Sequence, residues 1–278
     1  MPGDTHGYVL PLTAAETARL HRQAHFLDRS TNPLLARYIR PGMNCVELGC
    51  GLGASTQTIR ELLGRAGRLT AVDQGEAFLR YTQDRLDKTG NVGVDFINSR
   101  AEEFDFPLDC DLVFGRAVLH HTRGPEQIFS RAAASLPRGG FVIFQEPVIS
   151  AIHRTRLPEP VAQLWRWYSA LGEFGGFHFD VGDSLAGFAQ DAGLEIVEMS
   201  GFEPMLVSQD DLSVYPGLLQ VFGDQLVAAD LATTAEVEKV QRALEVEAER
   251  GVPLPYVPFL HCVAMRPLHW PGSGSLER

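Results

Sequence analysis

Short apolar segments alternate with helical patterns between residues 44 and 147, and this alternation is the strongest constraint on the fold. Five segments have the length and composition of buried strands, at residues 44–48, 68–73, 94–97, 110–115 and 139–147. The residues between them mostly show helical periodicity, for example 53–65 and 76–90. Because parallel strands need helical crossovers, this alternation predicts βαβ units and a parallel sheet.

Helical segments surround this predicted sheet. Thr13 and Glu16 have the spacing of a capping box, and the segment "NPLLARYI" predicts a short second helix before Pro41. Asp183 is expected to cap a later helix, and Thr233 begins a second capping box.

With strands expected near 194–199 and 259–267, we predict a mostly parallel seven-stranded α/β sheet. We assign a helical N-terminal cap to 1–40, core to 41–147, a lid insertion to 148–182, core to 183–202, a helical insertion to 203–257, a last core strand to 258–268 and a tail to 269–278.

Composition excludes several classes of partner. The formal net charge is −11 and no block rich in Lys and Arg occurs, so we expect no nucleic-acid partner. No apolar run is long enough to cross a membrane and the N-terminus does not resemble a signal peptide, so we expect a cytoplasmic protein without a membrane partner. The four cysteines and nine histidines show no ligand spacing, which predicts reduced thiols and no metal. A homodimer is left open.

The segment "VELGCGLGAST" at residues 46–56 is a glycine-rich turn between the first strand and a helix. This is the context of a nucleotide-binding turn in a Rossmann-like sheet, where the helix N-terminus offers free N–H groups. A second acid, Asp73, ends the next strand twenty positions after Gly53. That spacing suits a carboxylate that accepts hydrogen bonds from ribose hydroxyls.

The ligand of this turn has two interpretations. The letters "GCGLGA" satisfy the pattern of nicotinamide and flavin proteins, which keeps an NAD-dependent oxidoreductase as an alternative. Glu47 argues against an NAD-dependent oxidoreductase, since its carboxylate would repel the pyrophosphate of a dinucleotide. The ammonium and sulfonium of S-adenosylmethionine are cationic, so they tolerate a carboxylate at this position. The turn also follows about 40 residues of helical sequence instead of opening the chain.

These segments together resemble the class I S-adenosylmethionine-dependent methyltransferases, in the branch that includes ubiquinone-type and natural-product enzymes. "VELGCGLG" is similar to the acidic glycine motif of that family, "TAVDQ" to its second strand and "SLPRGGFVIFQEP" to its fifth. The resemblance covers residues 8–147 well and implies S-adenosylmethionine as the cofactor. One departure is Arg100, at a position where many relatives have aspartate; arginine has donors only and cannot accept from adenine.

The resemblance also implies roles for individual residues. Glu47, Gly49, Cys50 and Gly51 would line the methionine part, and Asp73 would bind the ribose. The remaining cofactor contacts implied are Gln74, Ala101 and Glu102 at the adenine, Gly115 or Arg116 at the sulfonium, and Tyr8 and Gln23 from the N-terminal cap.

Candidate catalytic residues lie after the fourth and fifth strands. His120 and His121 follow the fourth strand at the carboxyl edge of the sheet, where ligands bind in such folds. Adjacent residues point in different directions, so one of the two is expected to be structural. Glu146 follows at the same edge, and it is expected to orient a histidine, to act as a base itself, or to accept from nearby backbone N–H groups.

The lid insertion is expected to contact the methyl-accepting substrate and to determine which substrate binds. "FGGFHFD" combines two glycines with Phe177, His178 and other rings, while Trp165 and Tyr168 are either packing or substrate contacts. This predicts a hydrophobic or aromatic small-molecule substrate in secondary metabolism, methylated by default on oxygen with a His/Glu base. Methylation of carbon or nitrogen, and a non-catalytic cofactor binder, remain alternatives.

Overall fold

The computed structural model describes residues 12–90 and 93–268. Its centre is a seven-stranded sheet in the order β3-β2-β1-β4-β5-β9-β6, and β7 pairs with β8 in a small separate ribbon. The strands are β1 Asn44–Leu48, β2 Arg68–Asp73, β3 Val94–Asn98, β4 Leu112–Arg116, β5 Phe141–Pro147, β6 Glu195–Phe202, β7 Met205–Leu206, β8 Leu254–Pro255 and β9 Phe259–Met265. Strands β1 to β5 pair in parallel, whereas β9 is antiparallel to both neighbours.

Helices cover both faces of the sheet and its carboxyl edge. They are α1 Ala14–Tyr38, α2 Ala54–Leu63, α3 Glu76–Thr89, α4 Pro125–Ser135, α5 Ile149–Ile152, α6 Glu159–Gly175, α7 Val181–Asp191, α8 Gln209–Leu212, α9 Val214–Ala228 and α10 Thr234–Arg250. The prediction of a Rossmann-like, mostly parallel seven-stranded sheet is confirmed. The order of the strands reverses between β1 and β4, which places the ligand crevice of such a fold at their carboxyl ends.

Helix α1 is continuous from Ala14 to Tyr38, so the prediction of two helices was wrong. Pro33 lies inside α1, where it lacks one backbone N–H and would ordinarily break a helix. Leu34 and Leu35, directly after it, are fully buried beneath the sheet, and this burial offsets the lost hydrogen bond.

Two predicted helix caps differ in detail from the structure. Thr13 caps α1, since its hydroxyl accepts from Glu16 N at 3.1 Å, but the Glu16 carboxylate turns toward Arg19 instead of completing the capping box. Helix α7 begins at Val181 with Asp180 as its N-cap residue, before the predicted cap Asp183. The capping box of Thr233 is confirmed at the start of α10.

The N-terminal helix and the two helical insertions share one apolar core above the sheet. Phe26 of α1, Trp165 of α6, Leu218 of α9 and Phe259 of β9 belong to this cluster. Its aromatic rings pack closely, for example Phe26 against Tyr256 with centroids 5.0 Å apart. The cap and the insertions therefore form a single cover over the crevice. None of the helices in residues 12–90 and 93–268 is long and apolar enough to cross a membrane.

Candidate cofactor and acceptor site

The glycine-rich turn has left-handed backbone at each of its three glycines. Gly49, Gly51 and Gly53 have φ values of 65°, 51° and 76°. A Cβ on Gly49 would come 2.8 Å from Val118 Cγ2, and one on Gly53 would clash with Thr82 Cγ2. A Cβ on Gly51 would meet no protein atom within 4 Å. Gly49 and Gly53 are thus required by packing, whereas the space beside Gly51 is open to a ligand.

Asp73 ties the turn to the end of β2. Its Oδ2 accepts from Gly51 N at 2.9 Å, and its Oδ1 accepts from Gly75 N at 2.8 Å. Burial raises the pKa of Asp73, and these two backbone hydrogen bonds oppose the shift. Each carboxylate oxygen keeps a further lone pair, so both can accept from the two hydroxyls of a ribose.

Glu47 is a buried carboxylate that also lines the cavity. Only 2 % of it is exposed, and its Oε2 has no hydrogen-bond partner among the described residues. Burial raises the pKa of Glu47 to about 8, and the nearby Thr56 hydroxyl and the charge of Arg116 oppose this shift. An unpartnered buried carboxylate is stabilised by a cationic ligand and would repel a pyrophosphate, which fits the ammonium and sulfonium of S-adenosylmethionine.

One cavity of about 260 Å³ joins these residues to the helical cover. Most residues predicted from the sequence line it: Gln23, Glu47, Gly49, Cys50, Gly51, Asp73, Gln74, Ala101, Glu102, Arg116, His120, His121, Trp165 and Tyr168. Arg100 also lines the cavity, with its Nη2 3.4 Å from Glu102 Oε1. Their roles stay predictions. Among the residues described, no cluster of His, Cys, Asp and Glu could hold a metal ion.

Four predicted residues do not line this cavity, and Tyr8 lies outside the described residues. Gly115 lies within β4, where a Cβ would come 2.5 Å from Phe144 Cε1, so packing inside the sheet accounts for this glycine. Phe177 packs against the core of the helical cover, and His178 is exposed. The fourth residue is Glu146, which lies behind His120.

Glu146 accepts four hydrogen bonds at the end of β5. Its Oε1 accepts from Val118 N and Leu119 N, both at 2.9 Å. Its Oε2 accepts from His120 N at 3.3 Å and lies 2.8 Å from His120 Nδ1. Glu146 therefore contacts both the loop after β4 and the His120 ring, and its role in catalysis stays a prediction. The carboxylate is fully buried and does not line the cavity.

Burial acts on both members of this pair. It lowers the pKa of His120 to about 3, so the imidazole is neutral at neutral pH. It raises the pKa of Glu146 to about 7, and the three backbone N–H groups oppose that shift. With an ionised Glu146 accepting at Nδ1–H, the neutral ring carries its free lone pair on Nε2.

His121 packs directly on its neighbour. The two imidazole centroids are 3.8 Å apart, and Phe179 meets His121 edge-on at 6.1 Å. Phe179 also stacks on Tyr168 at 4.7 Å. Phe179 is therefore a ring of the lid insertion that lies against both histidines.

Sequence reasoning missed part of the cavity wall. Glu16 and Arg19 of α1, Tyr256 and Phe259 all line it. Glu16 was assigned to a helix cap, and Tyr256 lies in a segment without periodicity. The only sequence signal for the first pair was the i, i+3 spacing of opposite charges.

Comparison with known proteins defines the class. A family model described as a methyltransferase domain matches residues 19–199, more than half of the 278 residues. The chain therefore belongs to the class I S-adenosylmethionine-dependent methyltransferases, as the sequence motifs predicted.

Individual relatives are more distant. The chain is 32 % identical over 145 residues to a trans-aconitate 2-methyltransferase of Acidovorax sp. (strain JS42), and this match covers 51 % of each protein. It is 34 % identical over 97 residues to a ubiquinone/menaquinone biosynthesis C-methyltransferase of Hydrogenovibrio crunogenus, covering 33 % of this chain and 38 % of the relative. The chain thus spans about half the length, or less, of these curated relatives.

The fold has solved counterparts. A putative methyltransferase from Bacillus halodurans superposes with a TM-score of 0.58 at 16 % identity, covering 86 % of this chain and 99 % of that one. This likeness supports the fold alone, since the identity is low.

Proposed function

We propose that this chain transfers a methyl group from S-adenosylmethionine to the oxygen of a hydrophobic or aromatic small molecule in secondary metabolism. The observation that carries the proposal is the shared cavity of Glu47, Gly51, Asp73 and His120, with Glu146 buried behind His120. One cavity thus combines a site for a cationic adenosyl compound with an oriented base.

The cofactor's chemistry assigns a limited task to the protein. S-adenosylmethionine supplies a methyl group already activated by a positively charged sulfur. Glu47 would hold its ammonium end and Asp73 its ribose, while the helical cover excludes water and aligns the acceptor. Only a nucleophile that carries a proton needs more, namely a base within reach of that proton.

His120 is the proposed base. Its Nε2 would take the proton of the acceptor hydroxyl, and the resulting imidazolium would be stabilised by Glu146 2.8 Å from Nδ1. Glu146 itself does not contact the acceptor; it is a positioning residue whose own location is determined by three backbone donors. The arrangement explains why a fully buried carboxylate lies directly beneath the loop after β4.

A second candidate is methylation of carbon, which the similarity to a C-methyltransferase favours. The same base would then remove a proton from a carbon centre activated by a neighbouring carbonyl. An oxidoreductase is disfavoured by the unpartnered oxygen of Glu47. A non-catalytic binder would keep the cofactor site but would not need an oriented histidine.

Two measurements test the proposal. Calorimetry should detect binding of S-adenosylmethionine and S-adenosylhomocysteine but not of NAD, and the reverse result would overturn the proposal. Mass spectrometry of ligands that copurify with the protein, followed by turnover with radiolabelled S-adenosylmethionine, would identify the acceptor and the methylated atom. Binding without turnover of any copurified acceptor would favour the non-catalytic binder.

A further inference from the structure

A second buried polar group lies in the cavity wall, apart from the His120–Glu146 pair. Arg19 and Glu16 of α1 are 6 % and 2 % exposed. Arg19 donates from Nε to Glu16 Oε2 and from Nη2 to Glu16 Oε1, both at 2.7 Å, and from Nη1 to Gln23 Oε1 at 2.7 Å. These bonds use three of the five guanidinium N–H groups, so one on each Nη has no acceptor within the described chain.

The surroundings of Arg19 are aromatic and belong to the same cavity. Arg19 lines the cavity together with Tyr256, Tyr168 and His121. Trp165 meets Tyr256 edge-on at 5.4 Å and Tyr168 at 5.8 Å. All of these side chains line the cavity, so the guanidinium lies among flat rings at the end formed by the helical cover.

Trp165 provides a second, independent observation. The side chain is 1 % exposed, and its indole Nε1 has no hydrogen-bond partner among residues 12–90 and 93–268. A buried N–H without an acceptor lowers stability, because the group loses its hydrogen bond to water and gains none in the protein. A ligand oxygen in the cavity would remove this cost, as it would for the two unused N–H groups of Arg19.

The net charge of the Arg19–Glu16 pair indicates which kind of ligand oxygen the site would bind. Glu16 neutralises Arg19 through a bidentate pair, so the site as a whole carries no net charge. A ligand carboxylate would be attracted by Arg19 but repelled by Glu16, which is hydrogen-bonded to Arg19. A carbonyl oxygen accepts from N–H groups without bringing a charge into an apolar cavity.

We propose that Arg19, Glu16 and Trp165 form an acceptor-recognition site for an uncharged, flat, conjugated molecule that carries a carbonyl oxygen. This inference rests on the proposed function, because it assigns the class of the acceptor. It does not depend on the cofactor residues, so the two can fail separately.

Three naphthalene probes of similar size test the inference. Acetylnaphthalene carries a carbonyl, ethylnaphthalene carries none, and naphthoate carries a carboxylate. Each is titrated by calorimetry into the full chain saturated with S-adenosylhomocysteine. We expect acetylnaphthalene to bind about tenfold more tightly than ethylnaphthalene, and naphthoate to bind no more tightly than acetylnaphthalene.

Variants then locate the preference. Trp165→Phe removes the indole N–H but keeps a ring, and its matched control is Trp167→Phe, a buried tryptophan outside the cavity lining. The double variant Glu16→Gln, Arg19→Met removes both charges together and leaves no unpaired buried ion. Its control is Arg22→Met, which breaks the ion pair of Arg22 with Asp210 at the outside of the same helix.

The expected result is that Trp165→Phe and the double variant each reduce the preference for acetylnaphthalene over ethylnaphthalene to threefold or less, a change of about one hydrogen bond. The controls should keep the preference, and Trp165→Phe and the two controls should bind S-adenosylhomocysteine as wild type does. Should the double variant fail to fold, Trp165→Phe alone decides. The inference would be overturned if the wild type bound acetylnaphthalene and ethylnaphthalene equally, bound naphthoate more tightly than acetylnaphthalene, or bound no probe. An unchanged preference in Trp165→Phe would overturn it as well. Failure of the wild-type protein to bind S-adenosylhomocysteine would instead overturn the proposed function.

Discussion

Arg116, at the end of β4, donates from Nη1 to Asp28 Oδ1 at 2.7 Å, and the same nitrogen lies 2.9 Å from Thr31 Oγ1. Thr31 Oγ1 in turn donates to Gln145 Oε1 on β5 at 2.8 Å. This hydrogen-bond chain connects the middle of α1 to two neighbouring strands. Because the first half of α1 forms one wall of the cavity, the contact between Arg116 and Asp28 helps to determine the width of the cavity.

Replacement of Asp28 by Asn should therefore loosen the N-terminal helix. The variant keeps the shape of the side chain but loses the charge-assisted hydrogen bond to Arg116. We expect binding of S-adenosylhomocysteine to weaken roughly fivefold, because the pair is only partly buried. Calorimetry measures this change, and hydrogen exchange should show faster exchange in α1. Asp210→Asn, which breaks an exposed pair with Arg22 on the same helix, is the control and should leave binding unchanged.

The fold and the cofactor end of the site follow from local sequence. The strands β1, β2, β4 and β5 are short apolar runs, and the turn needs glycine wherever φ is positive and space is short. Glu47 and Asp73 end neighbouring parallel strands, so topology alone brings them to one edge. These features could be predicted because each depends on a few consecutive residues.

The acceptor end depends on tertiary packing and was predicted less well. The pattern Thr-x-x-Glu at Thr13 is the same whether Glu16 turns back to the cap or forward to Arg19, and only burial of the pair decides. In the same way, Pro33 indicates a helix break unless the residues after it are buried. Tyr256 reaches the cavity because β9 inserts between β5 and β6, which no local pattern records.

Alanine substitutions at two glycines should separate folding from cofactor binding. Gly51→Ala has strained backbone but meets no protein atom, so we expect a loss of only about 1 kcal/mol in the free energy of unfolding. Its methyl group would enter the cavity, and binding of S-adenosylhomocysteine should weaken at least tenfold. Gly49→Ala adds a 2.8 Å contact with Val118 and should lose about 3 kcal/mol. Urea unfolding and calorimetry measure the two effects; equal stability of both variants would contradict the packing argument.

Glu47 should make the stability of the ligand-free protein fall as pH rises through the neutral range. Glu47 has a folded-state pKa of about 8, above its unfolded value of about 4.5. The folded state therefore binds more protons between these values, and the stabilising contribution present below pH 4.5 is lost as pH approaches 8. Glu47→Gln should reduce the slope of the free energy of unfolding against pH by up to about 1.4 kcal/mol per pH unit. Urea unfolding at several pH values measures it, and Glu61→Gln on exposed helix surface is the control. Equal slopes in wild type and Glu47→Gln would show that Glu47 is ionised in the free protein.

The His120–Glu146 pair should determine the pH dependence of methyl transfer once an acceptor is identified. The competent state has a neutral His120 and an ionised Glu146, so activity should fall as pH decreases through about 7, the pKa of Glu146. His120→Asn should lower kcat roughly 100- to 10,000-fold with little change in cofactor binding, whereas His25→Asn at an exposed position of α1 should not. Glu146→Gln should be slow at every pH, without the decrease near pH 7. Rate profiles between pH 5.5 and 8.5 test this assignment. A fall that persists unchanged in Glu146→Gln would place the titrating group elsewhere, and full activity of His120→Asn would leave positioning alone as the source of the rate.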